Sequence, residues 1–484
     1  MIAIAESLTN EDWQPARLIP VAGIRGQDEQ EARATSALLA VLSVVPPFAQ
    51  SILVPFGAPR GKIETFSEVR FKDAAGKAHR PDGAIVVTRG GKSWKALVEV
   101  KTGTASLNEE QVNRYLDLAR DNAFDCVITI SNDIVSSPTE VPYSYDRRKT
   151  RRVALYHISW WRILTKAVLE HRHRGVSDPE QAWILGELIA YLDHEKSGAS
   201  GFQDMGRAWV PVRDGARQGT LRASDAGVRE VAQRWEQLID YLALGLSQEL
   251  GREVTPARSR KQAHSERVED HVRRLATTGE LAASMRVPDA VAPIEIAANL
   301  RSRQVTTSVV LAAPGDGRQQ TRINWLLRQL RGADPRLRVT SAFANTRDTS
   351  SVLLGEANDQ PARLLSTTDK RREIRSFEVA LTRAMGLKAG RGAGTFIGDT
   401  RAQLFAFYGE VVQDMVGWQR KAPRLPDVEV LDEPPVIEPS AEPGEPEVAT
   451  PELTSVDAFA RGFERVEHEL EGPKPDAPRR DTSD

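Results

Sequence analysis

Residues 81–101, PDGAIVVTRGGKSWKALVEVK, contain two short β-strand patterns separated by a glycine-bearing turn. The runs 83–88 (GAIVVT) and 95–101 (KALVEVK) are rich in valine and other residues that favour strands. The RGGKS segment between them favours a tight connection, because glycine adopts turn conformations without steric cost. The stretch therefore predicts a β-hairpin.

Charged side chains fall at one end of this hairpin. Alternate side chains of a strand share a face, so Glu99 and Lys101 point to one side and Val100 to the other. If the strands pair, Asp82 at the start of the first lies beside Glu99 and Lys101 at the end of the second. Hard divalent cations prefer carboxylate oxygens, and a nearby lysine can orient a water or neutralise charge on a phosphate. Each motif alone is typical of a solvated ion pair or a turn, whereas the combination favours a site.

The hairpin lies inside an α/β pattern. In chain order, the predicted elements are a helix at 28–45, a strand at 64–71, the hairpin, a helix at 106–121 and strands at 125–131 and 153–158. Pro46 and Pro47 should end the first helix, and a further helix should start at Trp160. The order of helix, three strands, helix and strand predicts an α/β domain over residues 19–174.

The two predicted helices offer further side chains to the same site. Gln111 and Tyr115 are four residues apart on the second helix and therefore share a face. Glu31 lies on the apolar stripe of the first helix, where a carboxylate needs a polar partner. Without context, Tyr115 would be a core aromatic with Gln111 as its exposed neighbour, and Glu31 would serve equally well as a snorkelling or capping residue.

Together these elements resemble the PD-(D/E)xK nuclease superfamily. The order of helices and strands is shared, and three short motifs fall at corresponding places: Pro81-Asp82, Glu99-Val100-Lys101 and Gln111-x-x-x-Tyr115. The Gln-x-x-x-Tyr element is similar to that of the RecB-like branch. The resemblance covers about residues 28 to 135 and implies a restriction-endonuclease-like αβββαβ core.

The resemblance also implies a role for each matching residue. The implied site residues are Asp82, Glu99, Lys101, Gln111, Tyr115 and Glu31. Asp82 and Glu99 would bind Mg²⁺ or Mn²⁺, with the Val100 carbonyl as a further ligand. Lys101 would be the catalytic lysine. Gln111 and Tyr115 would shape the DNA-facing side of the site. Glu31 would be the acidic residue that the first helix contributes to it.

The leading hypothesis of function is a metal-dependent nuclease that hydrolyses DNA phosphodiester bonds in DNA repair, restriction or defence against foreign DNA. Two alternatives from other classes stay open. One is a catalytically inactive module of the nuclease fold that binds nucleic acid, and the other is a regulatory protein that acts through protein interactions. The same residues would serve RNA as a substrate, and the sequence leaves open whether the protein is a homodimer.

A basic segment follows the core, one strand past it. Its cations are Arg147, Arg148, Lys149, Arg151 and Arg152. Five cations within six positions repel one another unless solvent or a polyanion screens them. We interpret the basic segment either as a solvated loop or as a contact for nucleic-acid phosphates.

The sequence beyond residue 174 shows no motif of known chemistry. A glycine-rich stretch, 175–220, is expected to be a linker, and residues 221–420 are expected to form a mostly helical α/β domain. Helices are predicted at 225–250, 257–284, 318–332, 371–386 and 400–419, and strands at 292–297 and 304–312. The turn PGDG at 314–317 has no Gly-Lys-Ser/Thr after it and is therefore not a phosphate-binding loop.

Charge separates the chain into a basic body and an acidic tail. Residues 421–484 carry 7 Lys/Arg and 17 Asp/Glu, a balance of −10, and the whole chain has a net charge of −2, so the first 420 residues carry +8. The proline-rich residues 421–455 are expected to be a disordered acidic linker. Apolar residues recur at helical spacing over 456–471, which predicts an amphipathic docking helix that packs on the protein's own body or on a protein partner.

Composition excludes several classes of protein. Hydrophobic residues at 40% and charged residues at 27% are typical of a soluble globular chain. No apolar run approaches the roughly 18 residues that span a bilayer, and the N-terminus lacks the features of a signal peptide. The single cysteine, Cys126, excludes an internal disulfide framework and a Cys-cluster zinc site. We therefore expect a cytoplasmic protein without membrane contact.

Overall fold

The computed structural model describes residues 17–419, with gaps at residues 22, 73–76, 200, 260, 367, 370, 389, 391 and 393. The predicted acidic linker 421–455 and docking helix 456–471 lie outside the described residues. The described chain is mixed α/β, as predicted. In this part of the chain no single helix is long and apolar enough to span a membrane; Gln27–Val44 and Pro46–Phe56 meet that test only as a pair, with a bend of 111°.

The hairpin of residues 81–101 forms the centre of a five-stranded sheet. The strands of the first half are β1 (Lys62–Ser67), β2 (Phe71–Lys72), β3 (Ala78–His79), β4 (Gly83–Arg89), β5 (Lys92–Val100), β6 (Cys126–Ser131) and β7 (Ala154–Ser159). The sheet order is β1-β4-β5-β6-β7, antiparallel from β1 to β5 and parallel from β5 to β7, and β2 pairs with β3 as a separate hairpin. Gly90 and Gly91 form the β4–β5 turn with φ angles of 55° and 75°, which glycine adopts without strain.

Helices cover this sheet and lead to the second half. They are α1 (Gln27–Val44), α2 (Pro46–Leu53), α3 (Glu109–Asp121), α4 (Trp160–Val168), α5 (Pro179–Asp193) and α6 (Trp209–Gln218). α1 and α3 agree with the predicted helices at 28–45 and 106–121. The proline pair ends α1 as predicted, but it also begins α2, because a proline in the first turn of a helix loses no hydrogen bond.

The stretch 175–220 is not the linker that we predicted, since it contains α5 and α6. Asp178 caps α5 by accepting hydrogen bonds from two backbone N–H groups of its first turn. Leu185 and Leu188 of α5 are buried in the core of the first sheet, and Trp209 of α6 is buried in the core of the second half. The glycines of this stretch indicated a loop. Burial of the leucine and tryptophan side chains stabilises two helices there instead.

Both faces of the first sheet are buried. Val98 and Val100 of β5 share a core with α1, α2, α4 and α5, whereas Leu97 shares a core with α3. This alternation confirms the prediction made from strand periodicity. It places Glu99 on the α3 side of the sheet, in register with Thr129 of β6.

A seven-stranded antiparallel sheet forms the core of the second half. Its strands are β8 (Thr255–Pro256), β9 (Glu280–Arg286), β10 (Ile294–Asn299), β11 (Gln304–Ala312), β12 (Arg338–Phe343), β13 (Thr349–Leu353) and β14 (Ile374–Ala384). The sheet order is β13-β12-β14-β11-β10-β9-β8. The helices of this half are α7 (Ala226–Leu250), α8 (His264–Thr278), α9 (Gln319–Gln329), α10 (Leu354–Asp359) and α11 (Phe396–Phe407).

Two predictions for the second half are wrong. The predicted helix 371–386 is β14, which pairs with β11 on one side and β12 on the other. Its alternating residues Phe377, Val379 and Leu381 are buried in the core, because a central position in a sheet outweighs local helix propensity. The predicted helix 257–284 is α8 followed by β9. A large sheet therefore organises this half, although residues in α-helices outnumber those in strands, as predicted. Elements α7, α9, α11, β10 and β11 lie close to their predicted positions.

A cluster of charged residues in the second half contacts the loop that follows β6, and the described residues belong to one compact unit. Glu236 of α7 accepts a hydrogen bond from Arg267 at 2.9 Å, and His271 lies 2.9 Å from its other carboxylate oxygen. Burial raises the pKa of Glu236, but His271 and the charge of Arg258 outweigh burial and lower it to about 2. Arg258 also donates to Ser136 in the loop that follows β6. The second half is thus attached to a loop of the first sheet.

Candidate active site

The C-terminal end of β5 brings together residues from four segments of the chain. Asp82 Oδ2 accepts a hydrogen bond from the Val100 backbone N–H at 2.7 Å. The Lys101 ammonium lies 3.1 Å from Glu99 Oε1 and 3.0 Å from Glu31 Oε2. Carboxylates from α1 and from the residue before β4 therefore meet Glu99 and Lys101 at one edge of the sheet.

Asp82 is held in place by the ladder between β1 and β4. Its backbone carbonyl accepts a hydrogen bond from the Glu68 N–H at 2.8 Å, which continues the antiparallel pairing beyond the ends of both strands. Burial raises the pKa of Asp82, while the hydrogen bond from the Val100 N–H and the charge of Lys101 oppose that rise. Asp82 is thus a half-buried carboxylate fixed against the main chain of β5.

Glu99 is the most deeply buried carboxylate of the site, with 2% of its surface exposed. Its Oε1 accepts a hydrogen bond from Gln111 Nε2 at 2.5 Å, whereas its Oε2 has no hydrogen-bond partner among the described residues. Burial and, second, the charge of Asp82 raise the pKa of Glu99 to about 8. At pH 7 Glu99 therefore keeps its proton, because burial and, to a smaller extent, the neighbouring Asp82 disfavour its charged form.

Lys101 makes three contacts through its ammonium group. Besides Glu99 and Glu31, it donates a hydrogen bond to the Val100 carbonyl at 2.9 Å. Burial lowers the pKa of Lys101, but the negative charges of Glu99, Glu31 and Asp82 outweigh burial and raise it above its ordinary value. The ammonium is therefore protonated at physiological pH, which suits it to stabilise negative charge and not to act as a base.

Helix α3 closes the site on the Glu99 side. Asn108 caps the helix by accepting a hydrogen bond from the Gln111 backbone N–H at 2.8 Å, so the helix begins beside the end of β5. Gln111 binds Glu99, and Tyr115, one turn further on, is 8% exposed. Burial and the charge of Glu99 raise the pKa of Tyr115 to about 12, so its hydroxyl stays neutral and keeps its proton.

Two neighbours of the site were not identified from the sequence. Trp160 Nε1 donates a hydrogen bond to the Lys101 carbonyl at 3.0 Å. Thr129 lies opposite Glu99 on β6, and its Oγ1 is 3.0 Å from His157 Nδ1. Both contacts depend on which strands become neighbours, which strand periodicity does not reveal. The one available signal for Trp160 was its position at the junction of a predicted strand and a predicted helix.

The oxygen atoms of Asp82, Glu99 and Val100 are the available ligands for a divalent cation. The part of the chain that the structure describes contains no group of three His, Cys, Asp or Glu side chains arranged as a metal site. The Val100 carbonyl already accepts a hydrogen bond from the Lys101 ammonium. The unpartnered Glu99 oxygen and the oxygen-only donor set fit a hard cation such as Mg²⁺ or Mn²⁺, which binds through one or two carboxylates and keeps several waters. The residues present therefore fit such an ion without forming a complete cage.

The basic segment, residues 147–152, lies away from this site. It precedes β7, at the N-terminal end of the parallel strands, whereas Glu99 and Lys101 lie at their C-terminal end. Lys149 forms an ion pair with Asp117 in the second half of α3, and the four arginines are exposed. Asp117 is six residues beyond Gln111, the α3 residue that contacts Glu99, which corresponds to a helical rise of about 9 Å. The basic segment is thus a separate basic surface beside α3.

No protein-family model matches this chain, and no curated protein matches it in sequence. Its function is therefore inferred from the chemistry of the site. That site consists of a half-buried and a buried carboxylate with raised pKa values, a charged lysine held by three oxygens, and the amide and phenol of α3.

Proposed function

We propose that this protein is a metal-dependent nuclease of the PD-(D/E)xK type that hydrolyses DNA. The proposal is carried by the convergence of Asp82, Glu99 and Lys101 at the end of β5. The order of elements supports it, since α1 precedes the antiparallel strands β1, β4 and β5, and α3 then leads to the parallel strand β6. Residues that the superfamily resemblance marks on different elements all reach one edge of the sheet.

The charge distribution of the site suits phosphodiester hydrolysis. Asp82, Glu99 and the Val100 carbonyl would hold Mg²⁺ or Mn²⁺, which when bound activates a water and neutralises phosphate charge. Lys101, permanently charged and 3.1 Å from Glu99, is placed to stabilise the negative charge that grows on the phosphate as the water attacks. Its raised pKa favours this electrostatic role over proton abstraction.

Two further side chains keep these groups oriented. Glu31 contacts the Lys101 ammonium from α1, on the opposite side from Glu99, so the lysine is held between two carboxylates. Gln111 donates to Glu99 Oε1, which leaves Oε2 available. Rigid placement of this kind contributes to catalysis because the groups need not reorganise as charge develops.

The charge of the body supports a polyanionic substrate, and DNA repair, restriction and defence against foreign DNA are the settings we propose. The first 420 residues carry +8, and the exposed arginines of the basic segment offer phosphate contacts away from the site. The same chemistry would cut RNA, so substrate assays must include it. Phosphate contacts by the basic segment and cleavage at the end of β5 would then take place at opposite ends of the sheet.

The decisive experiment incubates the full-length protein with linear, circular and single-stranded DNA and with RNA, in Mg²⁺, Mn²⁺ or EDTA. We expect cleavage with either metal and none in EDTA. Lys101→Met should lose at least about 100-fold in rate, as expected for removal of a charge stabiliser. Lys92→Met is the matched control, because it removes a lysine from the opposite, exposed end of the same strand.

The outcomes separate the competing functions. Salt-dependent binding of nucleic acid without cleavage in either metal would favour an inactive module of the same fold. A parent protein that shows no salt-dependent affinity for nucleic acid, and instead binds another protein, would favour a regulatory interaction protein. Equal rates for Lys101→Met and Lys92→Met would refute the site.

A further inference from the structure

We propose that Trp160 is a positioning residue for Lys101 and acts by fixing the main chain of that lysine; the inference rests on the proposed nuclease function. Lys101 is the first residue after β5. Its backbone N–H donates to the Ile130 carbonyl at 2.7 Å and so still belongs to the β5–β6 pairing. Its carbonyl lies beyond the strand and accepts a hydrogen bond from Trp160 Nε1 at 3.0 Å. The Trp160 side chain thus supplies the hydrogen bond that strand pairing no longer provides beyond the end of β5.

The start of α4 places Trp160 for this contact. Ser159 caps the helix by accepting a hydrogen bond from the Arg162 N–H at 3.2 Å, and Trp160 is the first helical residue. The indole is fully buried. A buried carbonyl that loses its donor must find another or admit water. Loss of the indole N–H would therefore let the chain after Lys101 shift, and the ammonium would move with it.

The next residue, Trp161, anchors the same helix on the second half of the protein. Trp161 Nε1 donates to the Tyr241 carbonyl at 3.3 Å, and the two rings lie 4.9 Å apart between centroids. Gln248 of α7 donates to Thr165 of α4 at 2.8 Å. Helix α4 therefore contacts the second half through side chains other than Trp160, and Trp160 reaches the Lys101 carbonyl from the start of this helix.

The test must separate positioning from core packing, because Trp160 also belongs to the core of the first sheet. Trp160→Phe removes the indole N–H and keeps an aromatic ring. Trp161→Phe is the matched control, since it makes the same change one residue further along α4 and removes a hydrogen bond to a different carbonyl. A purely structural role predicts similar behaviour for both variants apart from their thermal stability.

Two measurements on the full chain report on Lys101. Acetylation by a water-soluble reagent, followed by mass spectrometry, measures how firmly the lysine is held and requires no enzymatic activity. We expect Lys101 to react more slowly than the exposed Lys92 in the parent protein and Trp161→Phe, and several-fold faster in Trp160→Phe. We expect the kcat of DNA cleavage to fall about tenfold in Trp160→Phe with KM within about twofold, since binding does not involve Trp160.

The outcomes distinguish this inference from the proposed function. Unchanged acetylation of Lys101 and unchanged kcat in Trp160→Phe would overturn the positioning role, even if the parent protein is a nuclease. A parent protein that cleaves no nucleic acid would overturn the nuclease, while the acetylation comparison would still decide whether Trp160 holds Lys101. If Trp160→Phe does not fold, benzothienylalanine at position 160 keeps the bicyclic ring and lacks only the N–H, and the same two outcomes apply.

Discussion

The protonation of Glu99 gives the site a measurable pH signature in the absence of metal. Burial and the charge of Asp82 raise the pKa of Glu99 from 4.5 to about 8. Because the folded protein then binds more protons than the unfolded chain between these values, the free energy of unfolding falls as pH rises through this window. The stability that the folded protein gains by keeping Glu99 protonated is fully present below pH 4.5 and is lost once the pH passes about 8. Glu99→Gln, which cannot ionise, should lack this loss.

The size of the effect follows from the same pKa difference. Each pKa unit corresponds to about 1.4 kcal/mol, so the loss amounts to at most about 5 kcal/mol between the two pKa values. Burial is the larger cause and the Asp82 charge the second. Asp82→Asn should therefore reduce the pH dependence without abolishing it. A dependence caused mainly by repulsion between the carboxylates would instead disappear in Asp82→Asn.

Urea denaturation in EDTA at several pH values between 5 and 9, followed by tryptophan fluorescence, measures this difference. The stability of Glu99→Gln relative to the parent protein should increase with pH up to about 8 and then remain constant. Saturating Mn²⁺ should stabilise the parent protein more at pH 8 than at pH 6, because the cation binds the ionised carboxylate, and should affect Glu99→Gln little. Parallel stability curves for the two proteins in EDTA would refute the buried, protonated Glu99.

Three further predictions concern metal binding, the basic segment and the tail. Asp82→Asn should weaken Mn²⁺ binding at least about tenfold in calorimetry and abolish cleavage; undiminished affinity would remove Asp82 from the ligands. Serine at all five cationic positions of the basic segment should lower DNA affinity and flatten its salt dependence while kcat stays unchanged, and an unchanged salt slope would leave the segment a solvated surface. Amides 456–470 should exchange hydrogen more slowly than those of residues 421–455; equal rates, alone and with partners, would exclude a docked helix.

The sequence alone predicted the hairpin, the two helices beside it and most of the site. The period of two along β5 placed Glu99 and Lys101 on one side and the valines on the other, and the structure confirms this arrangement. The helical period likewise placed Gln111 and Tyr115 on one face of α3. These features depend on side-chain direction along a single strand or helix, which local sequence specifies.

Other features depended on which elements become neighbours. The segment 374–384 reads as a helix in isolation, yet it is a central strand because β11 and β12 pair with it on both sides. The helices of residues 175–220 were concealed by glycines, and their packing shows only in the assembled core. The basic segment follows the predicted core by one strand, but the direction of the parallel strands places it at the opposite end of the sheet from the site.

The chemistry of the site likewise depends partly on local sequence and partly on the tertiary structure. The sequence supplied the two carboxylates and the lysine, but only the tertiary structure determines that Glu99 is buried beside Asp82 and has a pKa of about 8. The contact between Trp160 and the Lys101 carbonyl likewise joins residues 59 positions apart. Local sequence fixes the direction of a side chain, because backbone geometry repeats along each element. Burial, partners and pKa depend on the surroundings that distant segments provide, and those exist only once the chain has folded.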